Sequence, residues 1–236
     1  MIWPFLQRRW WLTQNRLITT IGFSLALPVF LHVIINLVLK NIIVRSIRQI
    51  PYETWVAPGL LFLLATITLI PIVYREFFDL RIHHKGLPPI SISPVSKLNV
   101  IFASILTAMV ESTFFVLVGV FVFYSLGTVH FTLLQLLIIL VYILVLNFLN
   151  ANVLVFLSLL TERVTIYVML ILSMLLLLVF GSGLVVELEF YPVIIGKIMN
   201  WLPTSALMRG IRMVLFAHIF DWILVVYPLL LAVGVM

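Results

Sequence analysis

The densest group of charged side chains in the sequence lies between Tyr74 and Leu98, in the run YREFFDLRIHHKGLPPISISPVSKL. Gly86 suits a left-handed helix C-cap, and Pro88-Pro89 cannot continue a helix. We therefore predict a short amphipathic helix on the membrane surface, at residues 75–86, followed by a stiff link into the next helix. An ordinary solvated loop is the alternative, but a loop that only joins two helices needs no stiffness, whereas one that transmits force does. On a helical wheel the polar side holds Arg75, Glu76, Asp79 and His83, opposite Tyr74, Phe77, Phe78 and Ile82.

A second candidate for chemistry is Glu111, which lies in the middle of a long apolar stretch. An ionised carboxylate inside a bilayer is costly unless it is paired, hydrated or protonated. It marks either a substrate or proton site, or a protonated carboxyl group that ties helices together. His32 and Asn36 lie one helical turn apart, which favours an interhelical hydrogen bond over a ligand site. The predicted neighbours of Glu111 are Asn147, Asn150, Asn152, His32 and Asn36.

Several kinds of chemistry find little support in the sequence. His83 and His84 are adjacent, so on a helix they point in different directions, and no carboxylate spacing completes a metal shell. A phosphate loop is excluded near Gly196-Lys197, because the upstream glycine and the following hydroxyl are both missing. A membrane-embedded hydrolase or transferase would need catalytic side chains that converge, and scattered histidines supply no dyad or triad. We expect no enzymatic activity, no metal and no cofactor in this chain.

The composition identifies the elements that carry these residues. Of the 236 residues, 64% are hydrophobic and only 9% are charged, whereas soluble domains usually carry about a quarter charged residues. Apolar stretches of about 20 residues recur, and each must be helical to cross a bilayer. The net charge of +6 indicates Lys and Arg at the membrane edges rather than nucleic-acid binding. The absence of cysteine excludes disulfides and thiolate chemistry.

The hydropathy pattern predicts an all-α integral membrane protein with one transmembrane domain, residues 1–236, and six transmembrane helices. An N-terminal interfacial helix covers residues 1–16, where Trp and Arg suit the headgroup layer. An amphipathic excursion covers residues 187–217, in which an apolar stripe opposes Arg209 and Arg212. A bias of eight Lys and Arg residues against six favours a cytoplasmic N-terminus. The predicted spans are about 17–39, 55–74, 96–126, 131–160, 165–186 and 219–236.

Four features in order carry a resemblance to a known family. They are the interfacial N-terminal helix, VAPGLLFLL at the start of the second span, the charged helix followed by LPPISISPVSKL, and WLPTSALMRGIRMVLF before the last span. In these features the chain resembles the membrane (permease) subunit of type-2 ATP-binding-cassette (ABC) exporters. Each motif is degenerate, and the order and spacing carry the likeness along nearly the whole chain.

The resemblance implies a function and a set of contacts. The charged helix would be a cytoplasmic coupling helix that seats in a groove of a separate ABC ATPase subunit, which supplies ATP, Mg and hydrolysis. Residues 187–217 would form an outer re-entrant hairpin that closes the exit. The implied ATPase contacts are Arg75, Glu76, Asp79, Arg81, His83 and Lys85, and the implied outer gate is Trp201, Pro203, Arg209 and Arg212.

The resemblance also implies partners and a location. A second permease chain, identical or related, would complete a dimer, and a drug, lipid or glycolipid would cross at its interface by alternating access. The protein would lie in the bacterial inner (cell) membrane, in contact with lipid. The alternative function is a proton-coupled secondary transporter that uses Glu111, although the chain shows no internal repeat of the kind common in such transporters.

Overall fold

The computed structural model describes residues 2–15, 17–38, 50–83, 96–127 and 131–235. Lys85, the predicted Gly86 cap and Pro88-Pro89 therefore lie outside the described residues. The main helices, in chain order, are α1 (Ile2–Gln14), α2 (Leu17–Leu31), α3 (Tyr52–Val73), α4 (Lys97–Ser125), α5 (Leu133–Leu160), α6 (Val164–Gly181), α7 (Val193–Asn200), α8 (Pro203–Arg212) and α9 (Ile223–Val235).

Within the described ranges, five helices are long and apolar enough to cross a membrane. They confirm the predicted class, an all-helical integral membrane protein. The sixth predicted span, 219–236, contains α9, which has 13 residues and is shorter than the about 20 that a perpendicular crossing needs. The five helices are Leu17–Ile35, Tyr52–Ile82, Lys97–Ser125, Leu133–Leu160 and Val164–Gly181.

Helix α3 forms the centre of the bundle. In its most apolar window 83% of the residues are buried, against 22% in the corresponding windows of α2 and α6. A helix that is apolar on every side is stable only where other helices surround it or lipid does, and α4 and α5 pack along α3. Gly119 of α4 packs against Leu64 of α3, since a Cβ there would lie 2.3 Å from Cδ2, the movable end of the Leu64 side chain.

The charged segment does not form a separate surface helix over its described part. Tyr74–Asp79 continues α3 as a wide π-helical turn, and the helix runs without a break to Ile82. The physical reason is that no Gly or Pro interrupts residues 72–83, and the apolar side of the segment finds a place in the bundle. Phe77 and Phe78 are both buried.

The fifth predicted span ends earlier than its hydropathy indicates. Helix α6 stops at Gly181, and Gly183 adopts a left-handed backbone conformation with φ of 70°. Residues 182–185 are buried although they are not helical, because they pack against the start of α3. Beyond them, α7 and α8 form a helix pair joined by a turn at Trp201-Leu202.

This packing makes Gly59 a sensitive position. A Cβ at Gly59 would lie 2.9 Å from the Leu184 carbonyl oxygen, a backbone atom that cannot rotate away. We expect Gly59→Ala to cost about 1–3 kcal/mol of stability, seen as a lower melting temperature by tryptophan fluorescence in detergent. Gly22→Ala is the matched control, because nothing lies within 4 Å of a Cβ there. If both variants melt like the wild type, residues 182–185 do not rest on α3.

Candidate functional site

Arg9 joins three elements at one end of the bundle. It projects from α1, and its side chain is only 8% exposed. Its Nη2 lies 2.9 Å from Glu76 Oε1 on the continuation of α3, and its Nη1 lies 3.5 Å from Glu111 Oε2 on α4. Nη2 also donates to the Ile72 carbonyl oxygen at 3.4 Å. We call Arg9, Glu76 and Glu111 the Arg9 cluster.

The Arg9 cluster holds charge in a place where water is scarce. Burial lowers the pKa of the Arg9 guanidinium below its usual value, while the carboxylates of Glu76 and Glu111 oppose that shift. A buried ion is tolerable only when partners of opposite charge and hydrogen-bonding groups replace its water. Separation of α1 from α3 would therefore leave buried charges without compensation, so the cluster favours movement of these elements as one body.

The charged continuation of α3 presents its predicted contact residues in different directions. Arg75 and His83 are exposed, and Asp79 is partly exposed. The Glu76 side chain is 8% exposed and faces Arg9, rather than sharing the outward side that the helical wheel gave it. The wheel places residues relative to their own helix, and it contains no information about α1, which covers this side.

Arg81 also forms hydrogen bonds within the chain. Its Nη1 donates to the Leu159 carbonyl oxygen at 2.8 Å, and its Nη2 donates to the Thr161 carbonyl oxygen. These are carbonyl groups at the C-terminal end of α5, where helical partners are missing and a cation is favoured by the helix dipole. Arg81 therefore fastens the continuation of α3 to the end of α5.

Aromatic packing adds a further connection. The ring of Phe78 stacks on that of Tyr167 near the start of α6, with centroids 4.6 Å apart. The ring centroid of Tyr74 lies 5.5 Å from that of Phe78 and 5.9 Å from that of Tyr167, which completes a group of three rings. The continuation of α3 is thus attached to α1 through the ion pair of Glu76 with Arg9, and by way of Arg9 to α4. Arg81 attaches it to α5, and stacked aromatic rings attach it to α6. A push on its exposed residues would reach all four helices.

Glu111 meets Arg9 rather than the predicted asparagines. Asn147 Nδ2 donates to Ser112 Oγ at 3.2 Å, and Asn150 Nδ2 donates to Thr66 Oγ1 at 2.9 Å. Ser112 Oγ in turn donates to the Ala65 carbonyl oxygen at 2.9 Å. These bonds join α3, α4 and α5, so both asparagines act as interhelical ties.

His32 and Asn36 belong to the π-helical segment His32–Leu37, which follows α2. His32 is 7% exposed, and its ring centroid lies 6.1 Å from that of Phe123 on α4. The side chain of Asn36 lies outside the part of the structure that is described. The structure therefore brings His32 to α4.

At the opposite end of the bundle, the four predicted gate residues do not all face the same way. Trp201 is 77% exposed, Pro203 is the first residue of α8, and Arg209 is exposed. Arg212 instead turns inward. Its Nη1 donates to the Gly183 carbonyl oxygen at 2.6 Å and its Nη2 to the Leu184 carbonyl oxygen at 3.0 Å. The guanidinium carbon lies 3.5 Å from the centroid of the Trp55 ring, in cation–π contact.

A cleft of 460 Å³ opens beside the helix pair. Its volume falls within the range of small-molecule sites, about 300–1,000 Å³. Its walls combine apolar side chains with charges of both signs. Its lining residues include Trp55, Glu189, Val193, Lys197, Arg209 and Phe216.

Sequence reasoning missed Arg9 and Trp55 as site residues. For Arg9 a signal was present, since the basic and apolar residues of α1 do not separate onto two faces, as they would on a helix that only floats at an interface. For Trp55 the sequence holds no such signal, because its partner Arg212 lies 157 positions away. No protein-family model, curated protein or solved structure matches this chain.

Proposed function

We propose that this chain is the membrane subunit of an ATP-driven exporter of the type-2 ABC class. It works as a dimer with separate ATPase subunits and moves a hydrophobic or amphipathic substrate, such as a drug, lipid or glycolipid, by alternating access. In this proposal six helices span the membrane, the N-terminus is cytoplasmic, and residues 75–86 form the coupling helix. The observation that carries the proposal is the attachment of the charged continuation of α3 to α1, α4, α5 and α6.

That attachment is what a transmission element requires. An exposed charged end provides contacts that can hold a partner while it turns, because charge-assisted hydrogen bonds tolerate small changes of angle. The buried side of the same helix fixes it to the bundle, so displacement of the end is not lost in local bending. Interfaces and packed helices of this kind switch between discrete arrangements when a domain moves.

Fewer residues are available to contact an ATPase subunit than the resemblance implied. Because Glu76 and Arg81 bond within the chain and Asp79 also has an interaction there, the proposed docking residues among the described ones are the exposed Arg75 and His83. Glu111 pairs with Arg9 at 3.5 Å, which gives its carboxylate a structural role in joining α4 to α1. For that reason we do not propose the proton-coupled alternative.

The test uses the whole protein expressed in its own host and purified in mild detergent. An ATPase subunit with a phosphate loop should co-purify, and Arg75→Glu combined with His83→Glu should lower its retention at least about tenfold, a loss of about 1.4 kcal/mol in binding. Arg163→Glu is the matched control, since Arg163 is also exposed and follows α5 at the same end of the bundle.

Two results would contradict the proposal. One is a wild-type preparation that hydrolyses no ATP and retains no nucleotide-binding subunit. The other is a double variant that retains the subunit as well as Arg163→Glu does, because docking would then involve some other surface.

A further inference from the structure

Three charged side chains line the cleft beside the helix pair without pairing with one another. Lys197 lies on α7, Arg209 lies on α8, and Glu189 lies on the short helical turn Leu188–Phe190. All three are exposed. Among the described residues, none of the three side chains forms an ion pair or a hydrogen bond. Only 9% of the residues in this chain are charged. Three charged side chains in one cleft, without an ion pair or a hydrogen bond in the described part of the chain, therefore favour a ligand-binding site.

Arg212 does not belong to this set, although it also lines the cleft. Its two terminal nitrogens are occupied by the carbonyl oxygens of Gly183 and Leu184, and its flat face covers Trp55. It therefore shapes the wall of the cleft. Glu187 also lines the cleft, but it already has an interaction within the chain. The charges that remain for a ligand are therefore two cations and one carboxylate.

The apolar part of the cleft and its surroundings identify where the ligand comes from. Val193 and Phe216 provide an apolar wall beside the charges, while Trp55 lies under the Arg212 guanidinium and is 4% exposed. The outside of α7 exposes Val193, Ile194 and Ile198 to 72%, 74% and 65%, and Trp201 follows at 77%. Apolar side chains next to a tryptophan at a helix end are typical of the headgroup level of a bilayer. The mouth of the cleft is therefore within reach of lipid.

We propose that this cleft binds a phospholipid with a phosphate and a primary ammonium in its headgroup, as in phosphatidylethanolamine. Lys197 and Arg209 contact the phosphate, for which Arg offers two parallel donors. Glu189 accepts from the ammonium, and the apolar wall contacts the start of the acyl chains. A purely anionic headgroup has no ammonium to offset the repulsion between its phosphate and the Glu189 carboxylate, so it should bind less well.

The proposal predicts a headgroup preference that single charges control. Delipidated full-length protein is titrated with phosphatidylethanolamine or phosphatidylglycerol of the same chain length, and native mass spectrometry measures bound lipid. The wild type should bind phosphatidylethanolamine about tenfold more tightly than phosphatidylglycerol. The double variant Lys197→Gln, Arg209→Gln should bind phosphatidylethanolamine about tenfold more weakly than the wild type does. Glu189→Gln should abolish the preference by weakening phosphatidylethanolamine alone.

The control is Glu162→Gln with Arg163→Gln, an exposed pair at the other end of the bundle that removes one charge of each sign. It should leave both affinities unchanged. Equal binding of the two lipids by the wild type, or an unchanged preference in Glu189→Gln, would overturn the proposal. Binding in the Lys197 and Arg209 double variant that matches the control would overturn it as well. The measurement needs no ATPase subunit, so its outcome is independent of the proposed export function.

Discussion

Replacement of Arg9 by glutamine is expected to lower the stability of the protein by about 3–5 kcal/mol. The substitution leaves the Glu76 carboxylate, which is 8% exposed, without the guanidinium that lies 2.9 Å away. It also removes the cation from Glu111 and the donor from the Ile72 carbonyl oxygen. The loss should appear as a strongly lowered melting temperature by tryptophan fluorescence in detergent.

Two comparisons separate the buried pair from charge in general. Arg8→Gln removes a guanidinium that is 55% exposed and 3.4 Å from Glu76, so it should cost less than about 1 kcal/mol. The triple variant Arg9→Gln, Glu76→Gln, Glu111→Gln removes all three charges together and should be more stable than Arg9→Gln alone, because no carboxylate is left uncompensated. Equal melting of Arg8→Gln and Arg9→Gln would mean that α1 is not fastened by Arg9.

The sequence predicted the class of the protein and the described parts of its first, third and fourth spans closely, whereas the second continues to Ile82, beyond its predicted end at residue 74. Lys97–Ser125 and Leu133–Leu160 differ from the predicted bounds by only a few residues. This success has a simple cause, since a bilayer requires long apolar helices and composition alone identifies them. The end of α6 at Gly181 was harder, because the apolar residues Leu184, Val185 and Val186 continue beyond it in a non-helical conformation.

The contacts that the sequence did not indicate concern which way a polar side chain faces. Glu76 was expected to point outward and Glu111 to meet asparagines, yet both contact Arg9. Arg81 was expected to contact a partner, yet it bonds to the end of α5, 78 positions along the chain. A helical wheel describes one helix at a time, so it cannot give a contact that depends on how a distant helix crosses. In each of these cases the sequence drew attention to the charged residue but did not indicate its contact within the chain.

Arg212→Ala is expected to have the second largest effect, a loss of about 2–4 kcal/mol. The truncation removes two charge-assisted hydrogen bonds, to the carbonyl oxygens of Gly183 and Leu184, and the cation–π contact with Trp55. Residues 182–185 are buried, so water cannot readily replace the lost donors. The melting temperature in detergent measures the loss.

The conservative and neighbouring variants make this expectation specific. Arg212→Lys should recover only part of the stability, because an ammonium cannot reach two carbonyl groups in a fixed fork while it lies flat on an indole ring. Arg209→Ala, one turn away and exposed, should change the stability by less than about 0.5 kcal/mol. If Arg209→Ala is as damaging as Arg212→Ala, the two arginines share one role at the surface, and the wall of the cleft is held by other contacts. If the order is as expected, one arginine of the predicted gate fixes the cleft and the other remains available to a ligand.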